Sequence, residues 1–190
     1  MIFKNFLNIK NNKIIKKDFQ NLLKEQPQIF KTLKPTYKYS YSKKAISKYK
    51  KFSNIRVIGM GGSILGAEAI YHFLKKKIKK RMTFVNNLNS NADYFQDKNI
   101  NLNLIISKSG NTLETIANAN TLIKNKEKNI IITEDKVSYL TNLASKLKAE
   151  IFEHKNYVGG RYSVLSEVGM LPAELMNLNE NKFKQFNNLI

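Results

Sequence analysis

The sequence predicts an α/β fold in which an open parallel sheet lies between two layers of helices, a three-layer αβα arrangement. From residue 54 onward, short β-rich runs alternate with segments of helical periodicity, a pattern typical of parallel strands joined by crossover helices. Loops rich in glycine or hydroxyl residues follow some of these runs. Residues 1–50 show neither feature, so we predict a small helical amino-terminal appendage there and a sheet domain over residues 51–190.

The amino-terminal segment is polar and rich in lysine, with two short helical patterns. Phe19, Leu22 and Leu23 fit one face of a helix that Pro27 would end. A second short helix is predicted from residues 45–49, which hold three apolar side chains. So basic a segment could belong to a DNA-binding helix-turn-helix, but no pair of helices joined by a tight glycine turn is evident.

Five β-rich runs predict five strands, at residues 55–59, 82–85, 102–106, 129–133 and 150–153. Helical faces between them are predicted from apolar residues three or four apart: Leu65, Ala69 and Phe73 with Ile70 and Leu74 alongside, then Ile116, Ala119 and Ile123, then Leu140, Leu143, Ala144 and Leu147. The polar segment through Ser90 and Tyr94 is expected to form a further short helix. In such sheets ligands bind beyond the carboxyl ends of the strands, so the loops there are candidates for a site.

The formal net charge of +19 over 190 residues is the most unusual feature of the composition, and there is no cysteine for a disulfide or a metal site. Such a charge can indicate a nucleic-acid or anionic-membrane partner. However, lysine, asparagine and isoleucine are abundant together, as an AT-rich coding sequence favours, and the lysines are spread along the chain. We therefore expect neither nucleic acid nor membrane as a partner. No run approaches the ~18 apolar residues of a membrane span and no signal segment is evident, so a cytoplasmic location is expected.

The loop after the third predicted strand has the composition of a phosphate site. Its members are short polar or glycine residues and one cation: Ser107, Lys108, Ser109, Gly110, Asn111 and Thr112. A helix is predicted to begin directly after it, and the free N–H groups and dipole of a helix amino terminus attract anions. The loop is not a P-loop, because the glycine-lysine-threonine ending is missing. The alternative interpretation is an ordinary serine-rich helix cap.

Two further loops contain paired glycines at predicted strand ends. Gly62 and Ser63 follow the first strand, where a dinucleotide fingerprint fails because no third glycine is in register. Gly160 and Arg161 follow the fifth strand, and a guanidinium can donate two parallel hydrogen bonds to an oxyanion. The structural alternatives are a tight turn capped by Ser63 and a surface turn held by a salt bridge.

These three motifs together resemble the glucose-6-phosphate isomerase family and its first sugar-isomerase (SIS) domain. They are Gly-Met-Gly-Gly-Ser-Ile-Leu-Gly at residues 59–66, Ser-Lys-Ser-Gly-Asn-Thr-Leu-Glu-Thr at residues 107–115 and Val-Gly-Gly-Arg-Tyr-Ser at residues 158–163. The last motif is the most specific to this family. The resemblance covers residues 54–176 and implies a SIS-type, flavodoxin-like sheet.

The family interconverts glucose 6-phosphate and fructose 6-phosphate through a cis-enediolate, with no metal or organic cofactor. The resemblance assigns the three loops to substrate binding through Gly62, Ser63, Ser107, Lys108, Ser109, Gly110, Asn111, Thr112 and Gly160. It implies that Arg161 stabilises the negative charge of the enediolate, as a catalytic residue. It also implies a homodimer for the complete enzyme.

Two features depart from the family pattern. Residues 109–111 are closer to the general SIS pattern than to the bulkier residues of many members. No match is found for the second SIS domain, which supplies the glutamate base and the histidine and lysine for ring opening. We therefore expect the amino-terminal part of an isomerase, either a fragment or one half of a split enzyme. A non-catalytic SIS module that senses a phosphosugar and another sugar-phosphate isomerase are the alternatives.

Overall fold

Five strands form one parallel sheet in the computed structural model, which describes residues 13–25, 27–88, 100–124 and 126–185. In chain order the strands are β1 (Asn54–Gly59), β2 (Arg81–Val85), β3 (Leu102–Ile106), β4 (Lys128–Thr133) and β5 (Glu150–Glu153). Their order across the sheet is β2-β1-β3-β4-β5, and every neighbouring pair is parallel. All five predicted strands are confirmed, and three begin one residue earlier than predicted.

The α-helices of the described residues are α1 (Lys13–Glu25), α2 (Lys43–Ser47), α3 (Leu65–Leu74), α4 (Leu113–Leu122), α5 (Tyr139–Leu147) and α6 (Glu167–Leu175). None of them is long and apolar enough to cross a bilayer. The helix predicted around Ser90 and Tyr94 lies outside the described residues. The helices predicted near Phe19, Ala45, Leu65, Ile116 and Leu140 are confirmed.

Alternate side chains of each strand pack against different helix layers. Val57 and Leu104 belong to a core that includes side chains of α3 and α6, whereas Ile58 and Ile105 pack with side chains of α4 and α5. Because both faces are covered, β1, β3 and β4 are buried at nearly every position instead of alternating. The predicted three-layer αβα sheet is therefore confirmed.

The chain leaves β1 toward one edge of the sheet and leaves β3 toward the other. This order, 2-1-3-4-5, is the flavodoxin-like arrangement, in which the reversal of direction opens a crevice between the loops that follow β1 and β3. The two loops are immediate neighbours, because Gly59 pairs with Ile106 at the ends of these strands. The topology therefore predicts the ligand site at this point of the carboxyl edge.

The predicted apolar face of α3 is confirmed only in part, since Ile70 is buried and Leu74 packs against the core. Leu65 and Phe73 are 55% and 88% exposed, and Ala69 is also exposed, whereas the buried face is formed by Ala67, Ile70 and Tyr71. Apolar residues occur on both sides of this helix, so their spacing alone could not decide which side packs on the sheet.

The buried helix α6 was not predicted. It is enclosed along its whole length, so its sequence lacks the polar face from which helical periodicity is recognised. Gly169 and Pro172 also suggest a break in a helix. A Cβ atom at Gly169 would overlap the carbonyl oxygen of Val164, which explains why glycine is needed where α6 approaches the preceding loop.

Two buried carboxylates of α6 connect the segment before β1 to the sheet domain. Glu167 accepts hydrogen bonds from the hydroxyl of Tyr37 and the backbone N–H of Ser40, each 3.0 Å long. Glu174 lies 2.6 Å from the ammonium of Lys50. Residues 37–50 are thus packed on the domain, while the division of the chain at residue 50 stays a prediction.

Candidate functional site

The loop after β3 begins with a cluster of hydroxyl groups beside the amino terminus of α4. The Oγ of Ser107 lies 2.9 Å from the Oγ1 of Thr112, and the Oγ of Ser109 lies 3.5 Å from the same atom. Thr112 is the N-cap residue of α4, yet its hydroxyl accepts no hydrogen bond from the first turn of the helix. The cluster thus gathers neutral hydrogen-bond donors at the positive end of the α4 dipole, an arrangement that can bind an anion.

Gly110 and Asn111 fix this loop to the neighbouring helix α5. The carbonyl of Gly110 accepts a 3.0 Å hydrogen bond from the N–H of Leu140, and the Oδ1 of Asn111 accepts one of 2.8 Å from the N–H of Tyr139. Gly110 has a φ of +69°, and a Cβ there would overlap the Oγ of Ser138. Both residues thus hold the backbone of the loop, since the Asn111 oxygen is already used by α5.

Lys108 is directed toward the segment that follows β5. Its Nζ donates a 2.8 Å hydrogen bond to the carbonyl of Asn156 and lies 3.6 Å from the Oε1 of Glu134. A hydrogen bond from Lys136, together with the charges of Lys136 and Lys108, holds the pKa of Glu134 below its usual value. The charge of Lys108 is therefore already balanced, and its side chain ties the hydroxyl loop to residue 156.

The glycine loops after β1 and β5 touch each other. A Cβ at Gly62 would overlap the carbonyl oxygen of Gly160, so the two backbones approach as closely as the absence of side chains permits. The buried hydroxyl of Ser163 lies 3.0 Å from the carbonyl oxygen of Gly62 and 2.7 Å from that of Gly160. The predicted proximity of these two loops is confirmed, although β1 and β5 are not neighbours in the sheet.

The chain after β5 reaches β1 by crossing the carboxyl edge of the sheet. On the way, Asn156 contacts Lys108 above β3, and Gly160 then arrives at Gly62. Three strand spacings of ~4.8 Å separate β5 from β1, so the segment passes over ~14 Å of sheet. It brings the three predicted loops to one part of the edge.

Arg161 lies on a single 3-10 turn, Gly160–Tyr162, and its side chain is exposed. Among the described residues no carboxylate lies within ion-pair distance of its guanidinium, so the structural salt bridge considered from the sequence is not found there. The guanidinium lines a cavity of about 480 Å3 with apolar residues of the amino-terminal segment, among them Phe30 and Leu33. The backbone of Arg161 thus adjoins the Gly62 contact, and its side chain is an exposed cation.

His154 and Thr115 were not assigned from the sequence, and both place a polar atom in the interior near this edge. Thr115, in the first turn of α4, is fully buried, and its hydroxyl has no hydrogen-bond partner among the described residues. His154 is 1% exposed, and its Nε2 also has no hydrogen-bond partner among the described residues. A hydroxyl at the third position of a helix that follows a serine-rich loop could have suggested Thr115, whereas no pattern marks His154.

His154 should make stability depend on pH. Burial lowers its pKa from the ordinary 6.5, so the unfolded state binds more protons as pH falls below about 6.5. The free energy of unfolding should therefore fall between pH 7.5 and 5.5, and His154→Gln should reduce that slope in urea titrations. His72→Gln, which removes an exposed imidazole, is the matched control. Equal slopes in the parent and His154→Gln would contradict the prediction.

The family model described as phosphoglucose isomerase matches residues 5–189 of the chain. The glucose-6-phosphate isomerase of Methanocaldococcus jannaschii is 36% identical over 151 residues, which make up 72% of this chain and 37% of that protein. The glucose-6-phosphate isomerase of Acholeplasma laidlawii is 38% identical over 153 residues, or 70% of this chain and 36% of that protein. The chain thus spans about a third of the length of the curated relatives it matches.

A protein of Thermus thermophilus has the same fold in its crystal structure. The two superpose with a TM-score of 0.72 at 19% identity, over 93% of this chain and 47% of that one. This likeness supports the arrangement of the sheet and its helices.

Proposed function

Since the chain belongs to the phosphoglucose isomerase family, we propose that it forms the phosphate-binding part of an enzyme that interconverts glucose 6-phosphate and fructose 6-phosphate. The observation that carries the proposal is the group of three hydroxyls, of Ser107, Ser109 and Thr112, at the amino terminus of α4. A phosphate dianion there would receive neutral hydrogen bonds and the positive end of the helix dipole.

The sugar would extend from this phosphate toward the contact between the two glycine loops. Gly62 and Gly160 leave backbone there without side chains, so a sugar hydroxyl can approach the chain closely. Ser63 lies at the end of the same turn, Gly61–Ser63. We assign these residues to binding of the sugar, and Lys108, Gly110 and Asn111 to holding the loop that binds the phosphate.

Isomerisation moves a proton between C1 and C2 through a cis-enediolate, whose oxygen carries negative charge. In this proposal the guanidinium of Arg161 stabilises that charge, since the side chain is exposed on the turn whose backbone contacts Gly62 and has no carboxylate partner among the described residues. A fixed positive charge near a developing oxyanion lowers the barrier because it acts more strongly on the intermediate than on the substrate. The base that moves the proton would come from outside this chain.

The phosphate assignment can be tested by calorimetric titration of the chain with glucose 6-phosphate, inorganic phosphate and glucose. Both phosphates should bind and glucose should not. Ser107→Ala should weaken binding of both phosphates ~10-fold or more, because a hydrogen bond to a charged group is lost. Ser145→Ala, which removes an exposed hydroxyl on α5, is the matched control and should change nothing. Equal affinities in the two variants would refute the assignment.

The isomerase assignment needs a separate measurement on the protein that carries this chain. Glucose 6-phosphate incubated in deuterium oxide should acquire deuterium at C2 as fructose 6-phosphate accumulates, because the enediolate exchanges its proton with solvent. Binding of sugar phosphate without interconversion or exchange would contradict the isomerase and favour a sensor module.

A further inference from the structure

The loops that precede the strands carry most of the exposed lysines of the sheet domain. Three segments contribute: residues 48–51 before β1, residues 75–81 before β2, and the lysines at positions 124, 126 and 128 before β4. In a parallel sheet all such loops lie at the amino edge, opposite the candidate phosphate site. Positions far apart in the chain are therefore gathered at one edge, which we call the basic edge.

Backbone hydrogen bonds join the three segments into one strip. The N–H of Arg81 donates to the carbonyl of Ser53, that of Asn101 to Asn54, and that of Lys128 to Asn101. From β2 to β4 the strip covers three strand spacings, about 14 Å. The cations are thus held on a continuous line by the sheet itself.

Among the residues that the structure describes, the carboxylates at this edge are already engaged. Glu150 lies 2.7 Å from Lys48, and Glu174 lies 2.6 Å from Lys50. Glu127 is largely buried and accepts a hydrogen bond from Asn103. Within the described residues, no carboxylate lies within ion-pair distance of the exposed Lys75, Lys76, Lys77 and Lys79 or of the three lysines before β4.

At the carboxyl edge the lysines share carboxylates, although Arg161 has no carboxylate within ion-pair distance among the described residues. There Lys108 and Lys136 both pair with Glu134, and Lys155 pairs with Glu153. A lysine-rich composition by itself would place lysines at both edges of the sheet equally. Lysines without a carboxylate partner among the described residues are therefore more numerous at the basic edge.

The basic edge exposes little apolar surface between its segments, although Phe73, two residues before Lys75, is 88% exposed. Tyr49 and Ile78, which lie within them, are buried, and Phe52 is half-buried. Lys80 is also buried, and burial, followed by the charge of Lys50, lowers its pKa. Adsorption to a lipid surface depends on buried apolar area as well as charge, whereas a nucleic-acid backbone is bound by cations alone.

We infer that the basic edge binds nucleic acid through the phosphate backbone, without reading its sequence. The lysines before β2 and β4 would each contact a phosphate and release condensed counterions, which is the main term in non-specific binding. The bound strand would lie across the amino edge, ~15–20 Å of strand length away from the phosphate loop. This replaces the expectation from the sequence, where the lysines looked evenly dispersed.

Fluorescence anisotropy of a labelled 20-base-pair DNA duplex, titrated with the full chain between 50 and 200 mM salt, tests this inference. Two unrelated duplex sequences should bind with the same affinity, and log K should fall linearly with log salt concentration. Replacing Lys75, Lys76 and Lys77 together with alanine should weaken binding ~10-fold or more and reduce the slope by about 2 to 3.

The matched control replaces Lys16, Lys17 and Lys24 of α1, which are also exposed, and so makes the same change in net charge. In this control, log K should depend on log salt concentration with the same slope as in the parent chain. An equal loss in both triple variants would show a response to net charge only and would overturn the inference, as would absence of duplex binding. Binding to vesicles of anionic lipid that is lost in the first triple variant, while duplex binding persists, would assign the edge to membranes instead.

Discussion

Replacement of Arg56 by alanine should lower the free energy of unfolding by about 3–5 kcal/mol. Arg56 lies on β1, an interior strand of the sheet, with its side chain fully buried. Its guanidinium donates hydrogen bonds of 3.1 Å to the Oδ1 of Asn103 and 2.9 Å to the carbonyl of Leu122. It also lies 3.6 Å from the Oε2 of Glu127, so its loss would leave a largely buried carboxylate without its countercharge.

Most of this loss of stability should come from Glu127, which would be left buried without a countercharge. Arg56→Met combined with Glu127→Leu removes both charges and should therefore recover part of the stability lost in Arg56→Ala. Lys51→Ala, an exposed cation just before the same strand, is the control and should change stability by less than ~0.5 kcal/mol. Urea titration of the variants measures these differences in the free energy of unfolding. A loss below ~1 kcal/mol for Arg56→Ala would show that the buried charge network contributes little.

Replacement of Gly62 by alanine should cost about 2–3 kcal/mol of stability and weaken binding of glucose 6-phosphate ~10-fold or more. The new Cβ would overlap the carbonyl of Gly160, which is backbone and cannot move aside as a flexible side chain can. The two glycine loops would have to separate, and the Ser163 hydroxyl could no longer contact both carbonyls.

Gly160→Ala is the matched control for this contact, because it changes the other side of the same junction. A Cβ at Gly160 would meet no atom within 4 Å, and its backbone does not need a positive φ. It should be neutral or slightly stabilising, since alanine restricts the unfolded chain more than glycine does. Urea titrations provide the comparison, because Gly160 is itself assigned to binding of the sugar and only its effect on stability is expected to be small. Equal effects of the two substitutions would contradict the close approach of the loops.

The candidate site was largely predictable because its residues are contiguous in three short motifs. The hydroxyls of residues 107–112 indicate an anion site by their chemistry, and a parallel sheet puts strand-end loops on one edge. What the motifs could not indicate is the direction of the side chains. The ammonium of Lys108 is bound by Asn156 and Glu134, and the Asn111 oxygen is bound by α5, because their partners come from distant parts of the chain.

The sequence alone determined the alternation of strands and helices and the chemistry of the strand-end loops, since both depend on residues close together in the chain. Only the tertiary structure decided which faces are buried, as in α3 and α6, where apolar residues occur on both sides and periodicity carries little information. It also decided the contact between Gly62 and Gly160, the partners of Arg56 and the gathering of lysines at one edge. Each of these depends on strand order, which brings together residues that local patterns treat as unrelated.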